Sequence, residues 1–525
     1  SIMSTSRLEE DMKMQYVIGV DIGTTGAKTI VFDQAGEPVS SAYQEYSCIY
    51  PHPAWIEQDA DSLVEAAVKT VAEAFAKSGL NKDDVVSMAF STQRSCTIFL
   101  DSQGHPLRNM ISWQDNRVGE EVAEMEAKVF GDRYFDITGL PIGATWLLPK
   151  IMWYRKNEPE KWSKTVRVAQ LHDYIFKKFG AEEYLVPNTD MGLSGVWNLT
   201  RNCFEEEFLK IFNIEAKYFS GLTNVGIHKG TISKEIATRT GLSEKTLLCT
   251  GAGDQSAAAL GAGIMSDGDL SVSMGTGGMM IMCVDKGKTD PHRAFLATEH
   301  ATGEKWQWEG LQKGSAGIYR WFRDEIAGTE TAEAKAGNLD TYDVLSKKAA
   351  EVPPGARGLI VLPYFAASGT PHWNINSRGA ILGLTFAHDR ACLTRAFMEG
   401  ITMEHKDMLV SLKMSGLCPK KITIMGGPTK SELWNKIQAS MYGLPVQTLK
   451  MPDASVLGVA IAAAAGAKLY GNLEEAAAAM VKTVSVIDPV PDWQKVYETQ
   501  YECYEAAYED LNRTTFAKMA RSQAE

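Results

Sequence analysis

An aspartate ahead of a tight turn of glycine and threonine can hold a phosphorylated ligand. The chain carries that arrangement at Asp21-Ile22-Gly23-Thr24-Thr25-Gly26. Glycine permits positive φ and lets backbone come close to a ligand. Threonine hydroxyls and free backbone N–H groups in such a turn can bind phosphate oxygens. Asp21, at the mouth of the turn, can hold a hydrated Mg²⁺. The same residues also fit a plain polar hairpin turn, because short glycine-rich motifs recur without function.

A second copy lies about half a chain further on, at Gly275-Thr276-Gly277 between apolar runs Leu270–Met274 and Gly278–Met282. Two such turns suggest two halves of like architecture serving one nucleotide. Just before the second copy stands Gly253-Asp254-Gln255, followed by the small-residue run Ser256–Gly261. Asp254 therefore falls at a strand–helix junction, where it can be a simple helix cap or a general base. Gln93 and Arg94 follow the apolar run Val85–Phe90, and Trp113 and Asp115 follow another. Polar groups at strand ends in an α/β sheet are where ligands usually bind. Gln93, Arg94 and Asp115 can equally be a surface ion pair with a satisfied amide. Trp113 can be core, or a flat wall for the carbon face of a sugar.

These groups need strands that end together and helices that cover them. The spacing predicts strands over Tyr16–Val20 and Thr29–Phe32, joined as a hairpin, and a third over Val39–Tyr46. Residues 51–58 read as an irregular loop. A helix capped by Asp59 or Asp61 runs to about Lys77. Further helices are expected over Gly119–Val129, from Leu147, around Asp173–Phe176, over Leu393–Met414 and Leu433–Tyr442, and from Ala454. Pro187–Asp190 reads as a loop. Trp306–Gly310 and Ile422–Met425 read as strands, the latter running into Gly426-Gly427, a turn that lets a planar group lie against bare backbone. Tyr497, Tyr501, Tyr504 and Tyr508 recur at helical spacing and read as a packing stripe.

The chain has 525 residues, enough for at least two domains. Its net charge of −12 argues against nucleic acid and anionic membrane partners. Any phosphate must then be held by local N–H groups, Mg²⁺ and a few cations. Eight cysteines with no C-x-x-C pair fit a reducing compartment and neither a disulfide framework nor a zinc site. No apolar run reaches membrane-spanning length, so the chain reads as cytoplasmic. Ser1 and Ile2, ahead of Met3, read as added residues, and the polar stretch to about Lys13 as frayed. A P-loop, a G-x-G-x-x-G fingerprint, H-E-x-x-H and G-x-S-x-G are all absent.

With both hairpins, Gly253-Asp254-Gln255 and Met425-Gly426-Gly427 in this order, the chain resembles the FGGY family of carbohydrate kinases from about Tyr16 to about Tyr470. Within the family it looks most like ketopentose kinases such as xylulokinase, since Trp113-Gln114-Asp115-Asn116-Arg117 follows their W-x-D-x-R pattern. Autoinducer and glycerol kinases are close relatives. The resemblance implies an α/β fold of two actin-like (ribonuclease H-like) domains with an ATP/sugar cleft between them. The implied division is an N-terminal domain over 15–262, a C-terminal nucleotide domain over 263–485 and a helical tail over 486–525.

The implied activity is transfer of the γ-phosphoryl of Mg-ATP to a hydroxyl of a small sugar, most readily a ketopentose such as xylulose. An autoinducer or a polyol of the glycerol or erythritol type is the alternative acceptor, and a nucleotide-dependent sugar sensor the non-enzyme alternative. By resemblance Asp254 is the catalytic base and, with Asp21, a metal ligand. Gln93, Arg94, Trp113, Asp254 and Gln255 bind substrate. Gly23, Thr24, Thr25, Lys28, Gly275, Thr276, Gly277, Gly310, Gly314, Gly426, Gly427 and Asn435 bind ATP. The two domains would close around a hinge near Gly261-Ala262-Gly263, and a homodimer is compatible with the resemblance. The chain departs from the family pattern in three places. Gln93-Arg94 resembles glycerol kinases, which carry Glu where Ser95 stands, whereas xylulokinases usually carry Met-His at the Gln93-Arg94 positions. Pro428 replaces a small residue, and Leu147 breaks a signature upstream of Lys150.

Overall fold

Val17, Ile18, Val20 and Ile22 are all fully buried, so the first strand is covered on both faces, as the centre of an α/β sheet must be. The computed structural model describes residues 13–524. The expectation of a frayed start therefore lies mostly outside the described residues. Contacts divide the chain into two units. The first comprises residues 1–265, 298–305 and 453–481, and the second residues 266–297, 306–452 and 482–525.

The first unit contains β1 (Tyr16–Ile22), β2 (Gly26–Asp33), β3 (Pro38–Glu45), α1 (Ala60–Ser78), β4 (Val85–Thr92), α2 (Leu171–Phe179), β5 (His228–Thr231), β6 (Leu247–Cys249), β7 (Ala252–Gly253) and α3 (Asp254–Gly261). Its sheet runs β5-β6-β4-β1-β2-β3, with β7 also on β4. β1 and β2 are antiparallel, whereas β1 and β4 are parallel. Asp59 caps α1 by accepting the N–H groups of Asp61 and Ser62. The helix Ala454–Gly466, far along the chain, packs on β1, β4 and α3. It approaches so closely that a β-carbon on Gly261 would collide with the Ala454 carbonyl, and one on Gly458 with the Ala257 carbonyl. Gly261, expected near a hinge, thus serves a helix crossing.

The second unit repeats the plan. Its sheet includes β8 (Asp269–Met274), β9 (Gly278–Val284), β10 (Trp306–Gln312), β11 (Lys421–Gly426), β12 (Val446–Leu449) and β13 (Thr483–Ile487), in the order β10-β9-β8-β11-β12-β13. β8 and β9 form the antiparallel hairpin and β8 pairs in parallel with β11, as β1 does with β2 and β4. α4 (Arg390–Met414) and α5 (Glu432–Tyr442) flank it.

Two expected loops are ordered elements. Residues 51–58 contain strand Trp55–Gln58, paired with Ile49–His52 and with Met110–Ile111. Asn188–Met191 is a short helix rather than a loop. The strand from Trp306 runs on to Gln312, two residues beyond expectation, because every residue through Gln312 pairs with β9. Tyr497, Tyr504 and Tyr508 are buried, as a packing stripe requires. All eight cysteines are free. Among the described residues no helix is long and apolar enough to cross a membrane.

Candidate active site

In the first unit the turn after β1 closes on itself, with the Gly23 N–H donating to the Gly26 carbonyl at 3.0 Å. Register places Asp21 opposite Lys28 on β2 and opposite Ser91 on β4. The Ser91 hydroxyl donates to Asp21 Oδ1 at 2.6 Å. Burial pushes the Asp21 carboxyl from its ordinary 3.8 up to about 7; the charges of Asp254 and Asp453 add to this, and Ser91 and Lys28 oppose it. Lys28 Nζ pairs with Asp453 Oδ2 at 3.0 Å, so the expected ATP-binding lysine is held by an acid absent from the sequence reading.

A group whose folded pKa is raised stabilises the fold at low pH and loses that contribution as pH climbs, here from about 4 to about 7. Asp21→Asn should therefore unfold at a higher temperature than the wild type at pH 8, and by a clearly smaller margin at pH 5. A gap of equal size at both pH values, measured by calorimetry without nucleotide, would refute this.

The turn is tied to the expected sugar site by a chain of hydrogen bonds. The Thr24 hydroxyl donates to Gln93 Oε1 at 3.2 Å and accepts from the Trp113 indole N–H at 3.1 Å. Gln93 Nε2 donates to Gln58 Oε1 at 2.8 Å, and Gln58 Nε2 donates back to the Thr24 carbonyl at 3.0 Å. Gln58 was not legible as a partner because it closes the loop from an edge of sequence read as irregular. Trp113 is 39% exposed, leaving a face of the ring open. Thr25, next in the turn, is exposed.

Asp254 is the first residue of α3, with Gly253 as the capping residue. Its Oδ1 accepts the Gln255 N–H at 2.8 Å and lies 3.6 Å from Arg94 Nε. A side chain at Gly253 would run into the Asp190 carboxylate and the Arg94 stem, so these three segments converge. The turn bearing Arg94 is fixed from beneath. Ser95 has φ 61°, and buried Lys150 donates to its carbonyl at 3.3 Å and to that of Thr145 at 2.9 Å. Burial pushes the Lys150 ammonium down to about 8.

Asp115 and Arg117 belong to the framework. Arg117 binds both Asp115 oxygens, at 2.9 and 2.8 Å, and Glu57 at 3.0 Å, and its guanidinium lies 4.1 Å from the Trp55 ring centroid. Arg108 pairs with the same Glu57.

In the second unit Gly275 N–H donates to the Gly277 carbonyl at 2.9 Å, and the Ser315 N–H donates to the Thr276 carbonyl at 3.0 Å. Gly277 packs under the carbonyls of Gln312 and Lys313. Gly314 lies against Ile318, just before the helix Ala316–Glu325. Gly310 is inside β10, where a side chain would meet Phe295 and Met408. The expectation that it lines a nucleotide leaves only its backbone to do so. Gly426 has φ 101° and abuts the Met274 backbone, so only glycine fits. Asn435 is buried, donating to the Thr429 carbonyl at 2.9 Å while its Oδ1 has no partner. Gly427 and Pro428 line a cavity of about 710 Å³ with Tyr319, Tyr342, Ser346 and Trp434. That size suits a nucleoside.

Among the described residues no group of three or more His, Cys, Asp or Glu is assembled to hold a metal. Mg²⁺ commonly needs only one or two carboxylates plus substrate phosphates. Asp21, coupled to Asp254 and Asp453, offers oxygen ligands and negative charge that its surroundings do not fully offset.

Residues 16–261 match the N-terminal domain of the FGGY family of carbohydrate kinases, and residues 270–467 its C-terminal domain. The chain is similar to a xylulose kinase of Bacillus subtilis (strain 168), 28% identical over 95% of this chain and 98% of that protein. It is also similar to a gluconokinase of the same strain, 29% identical over 92% of this chain and 94% of that protein. The solved xylulose kinase from Rhodospirillum rubrum superposes with a TM-score of 0.86 at 28% identity, covering 95% of this chain and 99% of that one. With both domains matched in order on two hairpin-bearing sheets, the chain belongs to the FGGY family of carbohydrate kinases, which transfer a phosphoryl group to an alcohol acceptor.

Proposed function

We propose that the protein phosphorylates a small ketose, a ketopentose such as xylulose, at the expense of ATP, with Asp254 as the general base. The observation carrying this reading is Asp254 itself: a carboxylate at the first position of α3, beside Arg94 and electrostatically coupled to Asp21. The acceptor hydroxyl oxygen attacks the γ-phosphorus, the bond from that phosphorus to the β,γ-bridging oxygen breaks, and ADP leaves. The hydroxyl proton passes to the Asp254 carboxylate. Such transfers depend on placement and charge neutralisation more than on covalent chemistry.

Gly23, Thr24, Thr25 and Lys28 are the proposed phosphate contacts of the first unit; Gly275, Thr276 and Gly277 are those of the second. Gly427, which lines the 710 Å³ cavity, and its neighbour Gly426 are proposed to receive the adenosine, together with Asn435. Asp21 and Asp254 are the proposed carboxylates for Mg²⁺, which when bound neutralises charge on the phosphates. Gln93, Trp113 and Gln255 are proposed to orient the acceptor. The open indole face suits the carbon face of a sugar.

A sugar acid or polyol acceptor is the second reading. It is favoured by the gluconokinase relative and by Arg94 where xylulokinases carry His. ADP release from Mg-ATP, measured with D- and L-xylulose, D- and L-ribulose, fuculose, gluconate, glycerol, erythritol and the autoinducer precursor, separates them. A ketopentose should raise ADP release far above background. Stimulation by gluconate or glycerol alone would overturn the ketopentose assignment.

A further inference from the structure

The strand that delivers Asp254 is irregular where it matters. β6 pairs with β4 as Leu247↔Ser87 and Leu248↔Met88, but β7 pairs as Ala252↔Ser91 and Gly253↔Thr92. Three residues, Cys249, Thr250 and Gly251, therefore stand opposite two, Ala89 and Phe90. This is a β-bulge. Bulges bend a strand and re-aim the side chains that follow, and a one-residue change of register sends side chains to the opposite face. The aim of Asp254, three residues after Gly251, depends on the bulge being held.

Holding it takes hydrogen bonds that the sheet does not supply. The N–H groups of Gly251 and Gly253, two residues apart, do not go to a neighbouring strand and need other partners. Two side chains from the segment 171–190 provide them. His172 Nε2 accepts the Gly251 N–H at 3.0 Å, and Thr189 Oγ1 accepts the Gly253 N–H at 3.3 Å. His172 Nδ1 faces the Leu185 carbonyl at 3.2 Å. A neutral ring with its proton on Nδ1 satisfies both contacts at once: it donates to Leu185 and accepts from Gly251. His172 is fully buried, which pushes its pKa down to about 4 and keeps the ring neutral. Gly251 itself leaves no slack, since a side chain there would strike the Phe90 backbone.

We propose that His172 is a positioning residue for phosphoryl transfer: by accepting the Gly251 N–H it clamps the bulged strand that aims Asp254. This rests on the reading of Asp254 as the base. Thr189 supports the same strand one step closer to Asp254.

The test is a set of substitutions assayed with Mg-ATP and the best acceptor of the panel. His172→Leu keeps the site apolar and removes the acceptor. It should lower kcat about 10- to 100-fold, the scale of a misplacement near 1 Å, while KM for ATP stays within about two-fold. His172→Gln sets an amide oxygen at the Nε2 position and should recover most of the loss. His172→Asn reaches only the Nδ1 side and should not. Because His172 acts through Asp254, Asp254→Ala/His172→Leu should be no slower than Asp254→Ala alone. Wild-type kcat in His172→Leu beside an inactive Asp254→Ala overturns the clamp and spares the base. Losses that multiply in the double variant also overturn it. Wild-type turnover in Asp254→Ala removes the base assignment, and this inference with it. If His172→Leu does not fold, the ranking decides: His172→Asn as fast as His172→Gln overturns the proposal.

Discussion

Asp254→Ala should lower kcat at saturating ATP and acceptor by about 10²- to 10⁴-fold, the range for loss of a positioned general base. KM for ATP should change much less than kcat, because Asp21 and the phosphate contacts assigned to both hairpins remain. The loss should be chemical rather than structural. The Asp254 side chain is 33% exposed, at the first position of a helix, so its removal opens no buried cavity. Arg94 loses its neighbour at 3.6 Å, which should raise KM for the acceptor as well. Unchanged turnover, with an unchanged unfolding temperature, would show that another group takes the proton.

The second large effect concerns stability. Arg117→Ala should cost about 3–5 kcal/mol, the scale of breaking a buried ion pair from one side. The Arg117 side chain is wholly buried, and so is that of Asp115. Without Arg117, Asp115 keeps its bond from the Ile56 N–H at 2.6 Å but loses its counter-charge, while Glu57 keeps Arg108. The gap would open between Trp55 and Trp153, whose ring centroids lie 4.1 and 4.7 Å from the guanidinium carbon. An unfolding free energy from urea titration within about 1 kcal/mol of the wild type would refute this. Because Trp113 lies four residues before Arg117, surviving enzyme should also bind its acceptor less tightly.

These two variants mark what the sequence could and could not carry. The hairpins were legible because their information is local: an apolar run, a Gly-Thr turn and a returning run lie within a score of residues. Asp254 was legible for the same reason, standing between a strand and a small-residue helix. What stayed hidden depends on residues far apart in the chain. Gln58 reaches Gln93 and Thr24, Asp453 reaches Lys28 across more than four hundred positions, and His172 reaches Gly251. No spacing rule pairs them. Asp115 and Arg117 show the converse: a motif with the composition of a binding site is a buried support for one. The short strands at Ile49–His52 and Trp55–Gln58 escaped because the two prolines and the absence of alternation mask an edge pairing.

The first unit draws its last segment, Asp453–Val481, from beyond most of the second. During synthesis, everything through Met265 has left the ribosome long before the helix Ala454–Gly466 exists. Until that helix arrives, the faces of β1, β4 and α3 that it covers stay bare, and Gly261 and Gly458 have nothing to interlock. The first half to be translated thus cannot finish folding until residue 481 has emerged, close to the end of synthesis. It must persist as a sheet with an uncovered apolar face while some 190 further residues are added, a state prone to aggregation. A stop codon placed after the first hairpin-bearing half would yield a chain that cannot complete its own core. Fusing residues 298–305 and 453–481 behind residue 265 would bring every segment of that unit into one shorter chain.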